Sequence, residues 1–537
     1  MNLKQLGMTF ACGCIAGALA GSGASLAQSK PLRIAMTLSQ VSATNGAPDG
    51  GFEGYRFTGY TIYDSLINWK LDDPKIPPTL APGLATEWKV DDKDRTKWVF
   101  KLRSGVKFHD GSDWNADAAI WNFDKLFTKS APQYDPKQQT QVAGRILSLK
   151  SWRKIDDSTI ELTTHTPDAT FPGQVPYVLF SSPAQFEKSG RNWAKYSEAP
   201  SGTGTFRLER LAPRERAELV RNSSYWDPKR VAKSERVILL PVPEATTRAS
   251  ALLSGQVDFI EAPPPDMIPH LKSRKFVVTG NAYPHFWPYF MSFKDDSPWR
   301  DIRVRKAVNL AIDRAGIVKL LGGYAAPAAG FIEKGNPWFG SPKFEVKYDP
   351  AAARKLLAEA GYSADKPLTL KVMVAPSGSG QMLPKPMNEY IQQNLKAVGV
   401  NLELVTQDWE VLRNCRRAGA GSPVCQGVHG VNNSSSTMDE FGAFKRVYSC
   451  GAIPPNGFNF MNYCDKVLDA MMDKAFAEFD DRKRTYALAN SHAYIVDQAI
   501  DVWVVHDVGP RAMSPKVKGF VQVKSWFQDL APVYVAD

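Results

Sequence analysis

The chain has 537 residues, is 43% hydrophobic and carries a formal net charge of +11 at pH 7. This hydrophobic content is ordinary for a globular protein, and the length allows about three or four domain-sized units. The Lys and Arg residues are scattered, with no block of five or more. The composition therefore argues against a nucleic-acid-binding protein and favours a solvated basic surface, with an anionic ligand as the alternative explanation.

The first 27 residues have the layout of a cleaved export signal. One positive charge, Lys4, precedes an apolar run over residues 6–20. The small residues Ser25 and Ala27 stand three positions and one position before a cleavage point after Ala27. The run is shorter than the roughly 20 residues that a membrane-spanning helix needs. The sequence predicts export to the periplasm with cleavage near Ala27, and no later stretch is apolar enough to span a bilayer.

Four cysteines follow the predicted signal, and an even number in an oxidising compartment predicts two disulfides. Three pairings are open. The local pairing, Cys415 with Cys425 and Cys450 with Cys464, closes the shortest loops and is the one that we predict. A zinc site would need closely spaced Cys or His pairs, and only His429 lies near these cysteines.

The first half of the chain shows strand patterns that are separated by turns. Residues 98–102 alternate with period two, and residues 159–163 form a second strand after the turn at 156–158. A helix is predicted over residues 116–127. These patterns indicate a meander of antiparallel strands with a helix beside it.

The second half alternates helices and strands. Asp301, Asp313 and Asp349 are each placed to cap a helix, the last one with Pro350 in its first turn. A strand over residues 368–374, a helix near 387–398 and a strand near 400–405 come next. Strand, helix and strand with short links predict a parallel sheet covered by helices.

Several blocks together resemble the family 5 solute-binding proteins of ABC importers, the dipeptide, oligopeptide and nickel group. One of them is Trp98-Val-Phe-Lys-Leu-Arg-Ser-Gly-Val-Lys-Phe-His-Asp-Gly111. All the blocks occur in the order of the family, at residues 63–66, 78–88, 98–111, 202–206, 221–226, 301–314 and 348–361.

The resemblance implies an α/β, two-lobed periplasmic-binding-protein fold of type II, with the ligand cleft between the lobes. The first lobe would comprise residues 28–55, 190–275 and 500–537. An extra subdomain, residues 56–189, would be inserted into it. The second lobe would comprise residues 276–499.

A ligand in such a cleft is held by aromatic walls and a few oriented polar groups. Aromatic, amide and imidazole side chains stand where members of this family reach the ligand. The predicted ligand-binding residues are Asn45, His285, Trp287, Trp409, His429, Asn432, Asn433 and Phe458.

One segment departs from the family pattern. Peptide-binding members place an Asp near residues 429–439 to pair with the peptide α-amino group. This chain has Asn432 and Asn433 there and no acid before Asp439. A neutral amide cannot supply that charge. Peptide specificity is therefore in doubt, and opines, sugar conjugates or other polar small molecules remain open.

The resemblance implies a periplasmic binding component that delivers a small molecule to a membrane permease, most simply as a monomer, without enzymatic activity, nucleic acid, cofactor or metal. Seven histidines are spread over the chain without a close pair. A chelated metal cargo would leave no trace in the sequence. Two alternatives stay open: a secreted hydrolase that uses acid pairs such as Asp72-Asp73 or Asp480-Asp481, and a chemoreceptor-type sensor on the same fold.

Overall fold

A computed structural model describes residues 30–282 and 284–537. The predicted export signal, residues 1–27, lies outside the described residues. Among the residues that are described, no helix combines the length and the apolar character needed to cross a bilayer. The described chain forms two seven-stranded sheets, a four-stranded sheet and two two-stranded sheets, Ile67–Lys70 with Thr79–Pro82 and Val517–Lys518 with Tyr534–Val535, with helices packed between and around them.

The first large sheet belongs to the first lobe. Its central strand, Leu32–Met36, pairs in parallel with Arg236–Pro241 on one side and with Phe259–Glu261 on the other. In spatial order, its strands are Val277–Thr279, Arg511–Met513, Phe259–Glu261, Leu32–Met36, Arg236–Pro241, Arg216–Arg221 and Phe206–Ala212. Helices Ala245–Leu253 and Ile268–Ser273 connect strands of this sheet.

The second large sheet belongs to the second lobe. Its strands His285–Met291 and Val502–Asp507 are buried along their whole length, as expected for a sheet that is covered on both faces. In spatial order, its strands are Ala325–Pro327, Val502–Asp507, His285–Met291, Gly430–Asn432, Leu368–Val374 and Val400–Thr406, and Ser435–Ser436 also pairs with His285–Met291. The predicted parallel pair, Leu368–Val374 with Val400–Thr406, is confirmed.

The chain crosses between the two large sheets at two places. It passes from the first sheet at Thr279 to the second at His285, and returns from Asp507 to Arg511. The sheets therefore assign residues 277–279 to the first lobe and 502–507 to the second, which differs by a few residues from the predicted boundaries at 276 and 500. The described chain has the predicted two-lobed α/β fold.

The subdomain inserted into the first lobe contains a four-stranded antiparallel sheet, and the predicted turn at residues 156–158 is confirmed as a hairpin turn. The predicted meander is wrong, because Lys97–Leu102 pairs with Thr159–Thr164 and not with Leu149–Asp156, the next strand of this sheet along the chain. In spatial order, its strands are Ala85–Val90, Lys97–Leu102, Thr159–Thr164 and Leu149–Asp156. Its helices are Ala116–Phe127, Pro136–Val142, Phe171–Gln174 and Pro183–Lys188. Helix Trp193–Glu198, which follows the predicted boundary at residue 189, packs against it through Trp193. The helix Ala116–Phe127 has the predicted bounds.

The predicted caps begin helices of the second lobe. The side chains of Asp301, Asp313 and Asp349 accept hydrogen bonds from the backbone N–H groups of Arg303, Gly316 and Ala352 at the first turn of their helices. The helices of this lobe are Ile302–Leu310, Arg314–Leu320, Pro350–Glu359, Pro384–Lys396, Trp409–Ala418, Glu440–Ala443, Lys445–Tyr448, Lys466–Phe476 and Asp481–Asp497.

Both predicted disulfides are present in the second lobe. Cys415 is bonded to Cys425, and Cys450 is bonded to Cys464. The first bond ties the end of helix Trp409–Ala418 to the loop that follows it. Closing a loop of this length contributes about 2–3 kcal/mol by restricting the unfolded chain.

Candidate functional site: an arginine-lined cleft

A cavity lies between the two lobes. The first lobe contributes Gly50–Glu53 and Trp526, the inserted subdomain contributes Arg145, and the second lobe contributes the remaining wall. Its volume is about 50 Å³, which is room for a few water molecules. Because three parts of the fold enclose it, a ligand in the cavity would touch all of them.

Helix Trp409–Ala418, here called the cleft helix, presents three arginines to the cavity. Arg413, Arg416 and Arg417 follow the helical spacing that places residues three and four apart on one face. Trp409, in the first turn of the same helix, also lines the cavity. The cleft helix therefore turns a cationic face toward the ligand space.

Arg413 and Arg417 have polar partners. The Nη1 group of Arg413 donates to Glu410 Oε1 at 2.9 Å. Gln141 Oε1, from the inserted subdomain, accepts from Nη2 of Arg413 at 3.0 Å and from Nη2 of Arg417 at 2.7 Å. This amide oxygen joins the subdomain to the second lobe, and it orients the two guanidinium groups.

The other cavity arginines, Arg145, Arg416 and Arg446, are here called the arginine triad. Their exposed fractions are only 5%, 8% and 6%. Each has its guanidinium over an aromatic ring: Arg145 over Phe52 at 4.8 Å, Arg416 over Phe290 at 4.7 Å and Arg446 over Phe458 at 4.3 Å. Ring stacking positions a guanidinium, but it leaves the N–H groups at the edge available to an acceptor.

Several N–H groups of the triad lack a hydrogen-bond acceptor. They are Nε of all three arginines, Nη1 of Arg145 and Nη2 of Arg416. Within the described chain, no carboxylate lies within ion-pairing distance of the triad. Leaving buried charged donors unpaired costs several kcal/mol, so the triad is expected to have an anionic partner.

The triad is electrostatically strained in the absence of an anion. Burial lowers the pKa of Arg416 to about 10, and the charges of Arg145 and Arg413 act in the same direction. Burial also lowers the pKa of Arg446 well below its ordinary value, with further lowering by Arg145 and Arg416. An anion in the cavity would reverse both effects by favouring the charged guanidinium.

Two buried acids whose charges act on the triad, Asp439 and Asp501, are engaged elsewhere. Asp439 accepts from Gly442 N at the start of its helix and from the Tyr177 hydroxyl at 3.0 Å. Asp501 accepts from the Tyr448 hydroxyl, and burial raises its pKa to about 7. Neither acid lines the cavity.

Four of the predicted ligand-binding residues line the cavity. His285, Trp409, Asn433 and Phe458 lie on its wall. The indole N–H of Trp409 is buried without an acceptor. The structure thus brings together residues from four separate segments of the second lobe.

The other predicted residues in the second lobe lie away from the cavity. Trp287 shares a sheet face with His285 but lies two residues further into the lobe, where it is fully buried in the core. Asn432 donates to Pro288 O and accepts from Asn388 Nδ2. The Nδ1 atom of His429 accepts from the Lys371 backbone N–H.

Asn45 also lies away from the cavity, in the first lobe. Its backbone carbonyl accepts from the Ser181 hydroxyl at 3.1 Å, which connects this loop to the inserted subdomain.

The alternation of side chains along a strand explains why only one of two neighbouring asparagines of the second lobe lines the cavity. Asn432 faces the core side of the sheet, and the next residue, Asn433, reaches the cavity.

The cavity arginines are the residues that the sequence-based interpretation missed, because it assigned the basic residues to a solvated surface. Arg413, Arg416 and Arg417 carried a usable signal, since they stand at helical spacing beside Trp409. Arg145 and Arg446 lie far away in sequence, so no local pattern relates them to the cleft helix. Among the described residues, no group of three or more His, Cys, Asp or Glu side chains is placed to hold a metal ion.

Comparison with known proteins agrees with this architecture. Residues 79–463 match the family described as bacterial extracellular solute-binding proteins, family 5 Middle. The chain is 26% identical over 487 residues to Heme-binding protein A of Haemophilus influenzae, covering 87% of this chain and 86% of that protein. It is 26% identical over 502 residues to the Dipeptide-binding protein of Escherichia coli, covering 90% of this chain and 91% of that protein.

A solved structure shows the same fold. The dipeptide binding protein from Pseudoalteromonas sp. SM9913, in complex with Met-Leu, superposes with a TM-score of 0.82 at 21% identity, covering 94% of this chain and 100% of that chain. The family match extends over more than half of the sequence and includes most of the inserted subdomain and most of the second lobe. The chain therefore belongs to family 5 of the bacterial extracellular solute-binding proteins.

Proposed function

We propose that this protein captures a small anionic solute in the cleft between its lobes and delivers it to the permease of an ABC importer in the periplasm. Like its relatives, the protein is a transport binding component and not an enzyme. The observation that carries the proposal is the arginine triad, whose buried N–H groups have no acceptor in the described chain.

The donor pattern of the cavity supports an anion. Arg145, Arg416, Arg417, Arg446 and Trp409 contribute buried polar atoms without a partner, and every one of these atoms is an N–H donor. Carboxylate and phosphate oxygens are acceptors, and charge-assisted bonds to them are about twice as strong as neutral ones. A ligand rich in acceptors would satisfy the donors, whereas a ligand rich in donors would not.

The position of the triad also suits a binding protein that closes on its ligand. Arg145 belongs to the inserted subdomain, while Arg416 and Arg446 belong to the second lobe. A ligand shifts the open–closed equilibrium only as far as it binds the closed form more tightly. An anion that touches both groups of arginines gains those contacts only when the cleft is closed.

Among the candidate solutes, acids fit better than simple peptides. A peptide brings an α-ammonium group, which needs a buried acceptor with negative charge. The one acid on the cavity wall, Glu53, already accepts from the backbone N–H groups of Thr37 and Leu38. Acidic sugar conjugates and other acids without an amino group carry carboxylates and do not require such an acceptor.

Isothermal titration calorimetry with matched anionic and neutral solutes tests the proposal. We expect a carboxylate to bind more tightly than its primary amide, because only the carboxylate neutralises the triad. The same comparison with Arg446→Gln should show a much smaller preference. Tight binding of neutral solutes, with no preference for the carboxylate over the amide, would contradict the proposed function.

A further inference from the structure

We propose, building on the proposed function, that the solute carries at least two negative charges and that it links the inserted subdomain to the second lobe through the arginine triad. The chemistry is that of a small polycarboxylate or a phosphate ester. Both classes present several anionic oxygens within a compact molecule. The inference goes beyond a preference for anions because it specifies the minimum charge of the ligand and the two parts of the protein that it joins.

The charge balance of the cavity requires more than one negative charge. Five arginines line the cavity, and in the described chain only Arg413 forms an ion pair there, with Glu410. The carboxylates of Asp439 and Asp501 act on the triad from a distance, outside ion-pairing range. One ligand charge would therefore leave part of the cationic excess uncompensated in a buried site.

The hydrogen-bonding capacity leads to the same conclusion. The unpaired atoms of the triad are three Nε atoms, which carry one hydrogen each, and two Nη atoms, which carry two each. A single carboxylate offers about four lone-pair sites, which is fewer than these hydrogens. Because the guanidiniums stack on rings from separate segments, one planar carboxylate cannot meet all three in the favoured side-by-side geometry.

The linking role follows from where the triad residues are anchored. Arg145 is held over Phe52 of the first lobe, whereas Arg416 and Arg446 are held over rings of the second lobe. These like charges repel: besides burial, the charge of Arg145 lowers the pKa of both Arg416 and Arg446, and the charge of Arg416 lowers that of Arg446 further. Hydrogen bonds of Gln141 with Arg417 and of Tyr177 with Asp439 join the two sides, but they do not neutralise the positive charge of the triad.

Titration calorimetry of the full-length purified protein in metal-free buffer tests the charge requirement with matched probes. Glutarate is compared with glutaramate, which has the same size and one carboxylate fewer, and glycerol 3-phosphate is compared with its monomethyl phosphodiester, which carries a single negative charge. We expect at least one charged probe to bind about 30-fold or more tightly than its less charged match, because an additional buried charge pair is formed. The pair that shows the preference identifies the polycarboxylate or the phosphate ester class.

The possible outcomes separate the two proposals. If neither glutarate nor glycerol 3-phosphate binds more tightly than its match, the requirement for two charges is wrong. In that case, glutaramate that still binds more tightly than a neutral diamide of the same size leaves the proposed function intact. A neutral diamide that binds as well as both acids contradicts both proposals.

Variants test the link between the two parts. Arg145→Gln and Arg446→Gln each remove one charge on opposite sides of the cleft, and we expect either one to reduce the preference for the doubly charged probe at least tenfold. Arg214→Gln, on an exposed turn of the first lobe, is the matched control and should leave the preference unchanged. Folded variants that keep the full preference for the doubly charged probe would overturn the linking role. If a variant does not fold, the titrations of the unmodified protein still decide the charge requirement.

Discussion

Two regions of the second lobe bury arginine in opposite ways. Arg314, in the core, donates from Nε to Trp503 O at 2.8 Å and from Nη1 to Asn309 O at 2.9 Å, and its Nη2 donates to the side chain of Asn309. Arg446, in the cleft, is buried to a similar degree, but the chain gives its Nε atom no acceptor. Burial lowers the pKa of both side chains.

The difference shows how a structural arginine can be distinguished from one that is reserved for a ligand. Backbone carbonyls that converge on a guanidinium stabilise the native state, because they offset the cost of removing the charge from water. A buried guanidinium without such acceptors destabilises the protein on its own and is explained by a partner that arrives later.

The largest effect is expected at the structural arginine. Arg314→Met would leave the carbonyls of Trp503, Asn309 and Ile312 without their donor, so we expect the free energy of unfolding to fall by about 3 kcal/mol or more. Urea unfolding measures the change, with the exposed Arg214→Met as the control, which should stay within about 0.5 kcal/mol. A loss no larger than that of the control would remove the distinction between the two regions.

The acid on the cavity wall should make stability depend on pH. Burial raises the pKa of Glu53 to about 7, the charge of Glu261 adds to this, and Arg56 opposes it. Because the native pKa is above the ordinary value of 4.5, the stabilisation is present below about pH 4.5 and is lost as the pH rises to about 7.

The free energy of unfolding of the unmodified protein should therefore fall by about 2–3 kcal/mol over this pH range because of Glu53, and Glu53→Gln should not show this fall. Urea unfolding at pH 4.5 and pH 7.5 measures it, with the unmodified protein as the reference. An unchanged difference between the two pH values would show that the Glu53 carboxyl keeps an ordinary pKa in the folded protein.

At the triad, removing an arginine is expected to stabilise the protein, in contrast to Arg314→Met. Arg446→Met should raise the unfolding free energy of the ligand-free protein by about 1 kcal/mol or more, because it removes a buried charge that lacks a partner. Urea unfolding after removal of bound solute by refolding measures the change. Destabilisation comparable to that of Arg314→Met would mean that Arg446 has a structural role instead.

The smallest effect is expected for a simple peptide. Ala-Ala should not raise the melting temperature, because the cavity offers no unpaired acid for its ammonium group, and Asp439 is occupied in capping its helix. Differential scanning fluorimetry is the measurement, with glutarate as the comparison solute. A shift of several degrees with the dipeptide would contradict this prediction.

Local physical rules in the sequence predicted much of the fold. The caps at Asp301, Asp313 and Asp349, the hairpin turn at 156–158 and both disulfides depend on residues that are close in sequence. The cavity was only partly predicted. Trp287 was expected there and lies in the core, because a strand that is buried on both faces gives no signal for which of its residues reach the cleft.

The triad could not be predicted, because it depends on tertiary packing between distant segments. Arg145 is in the inserted subdomain, and Arg446 lies some 300 residues later in the second lobe. Only the three-dimensional arrangement shows that their N–H groups meet in one buried space without acceptors.

Native mass spectrometry of the gently purified protein tests the central claim most directly. The account predicts that the protein retains a small molecule whose mass and fragmentation identify an anion, and that Arg446→Met, purified in the same way, loses it. A neutral or cationic solute that is retained equally by both proteins would contradict the account.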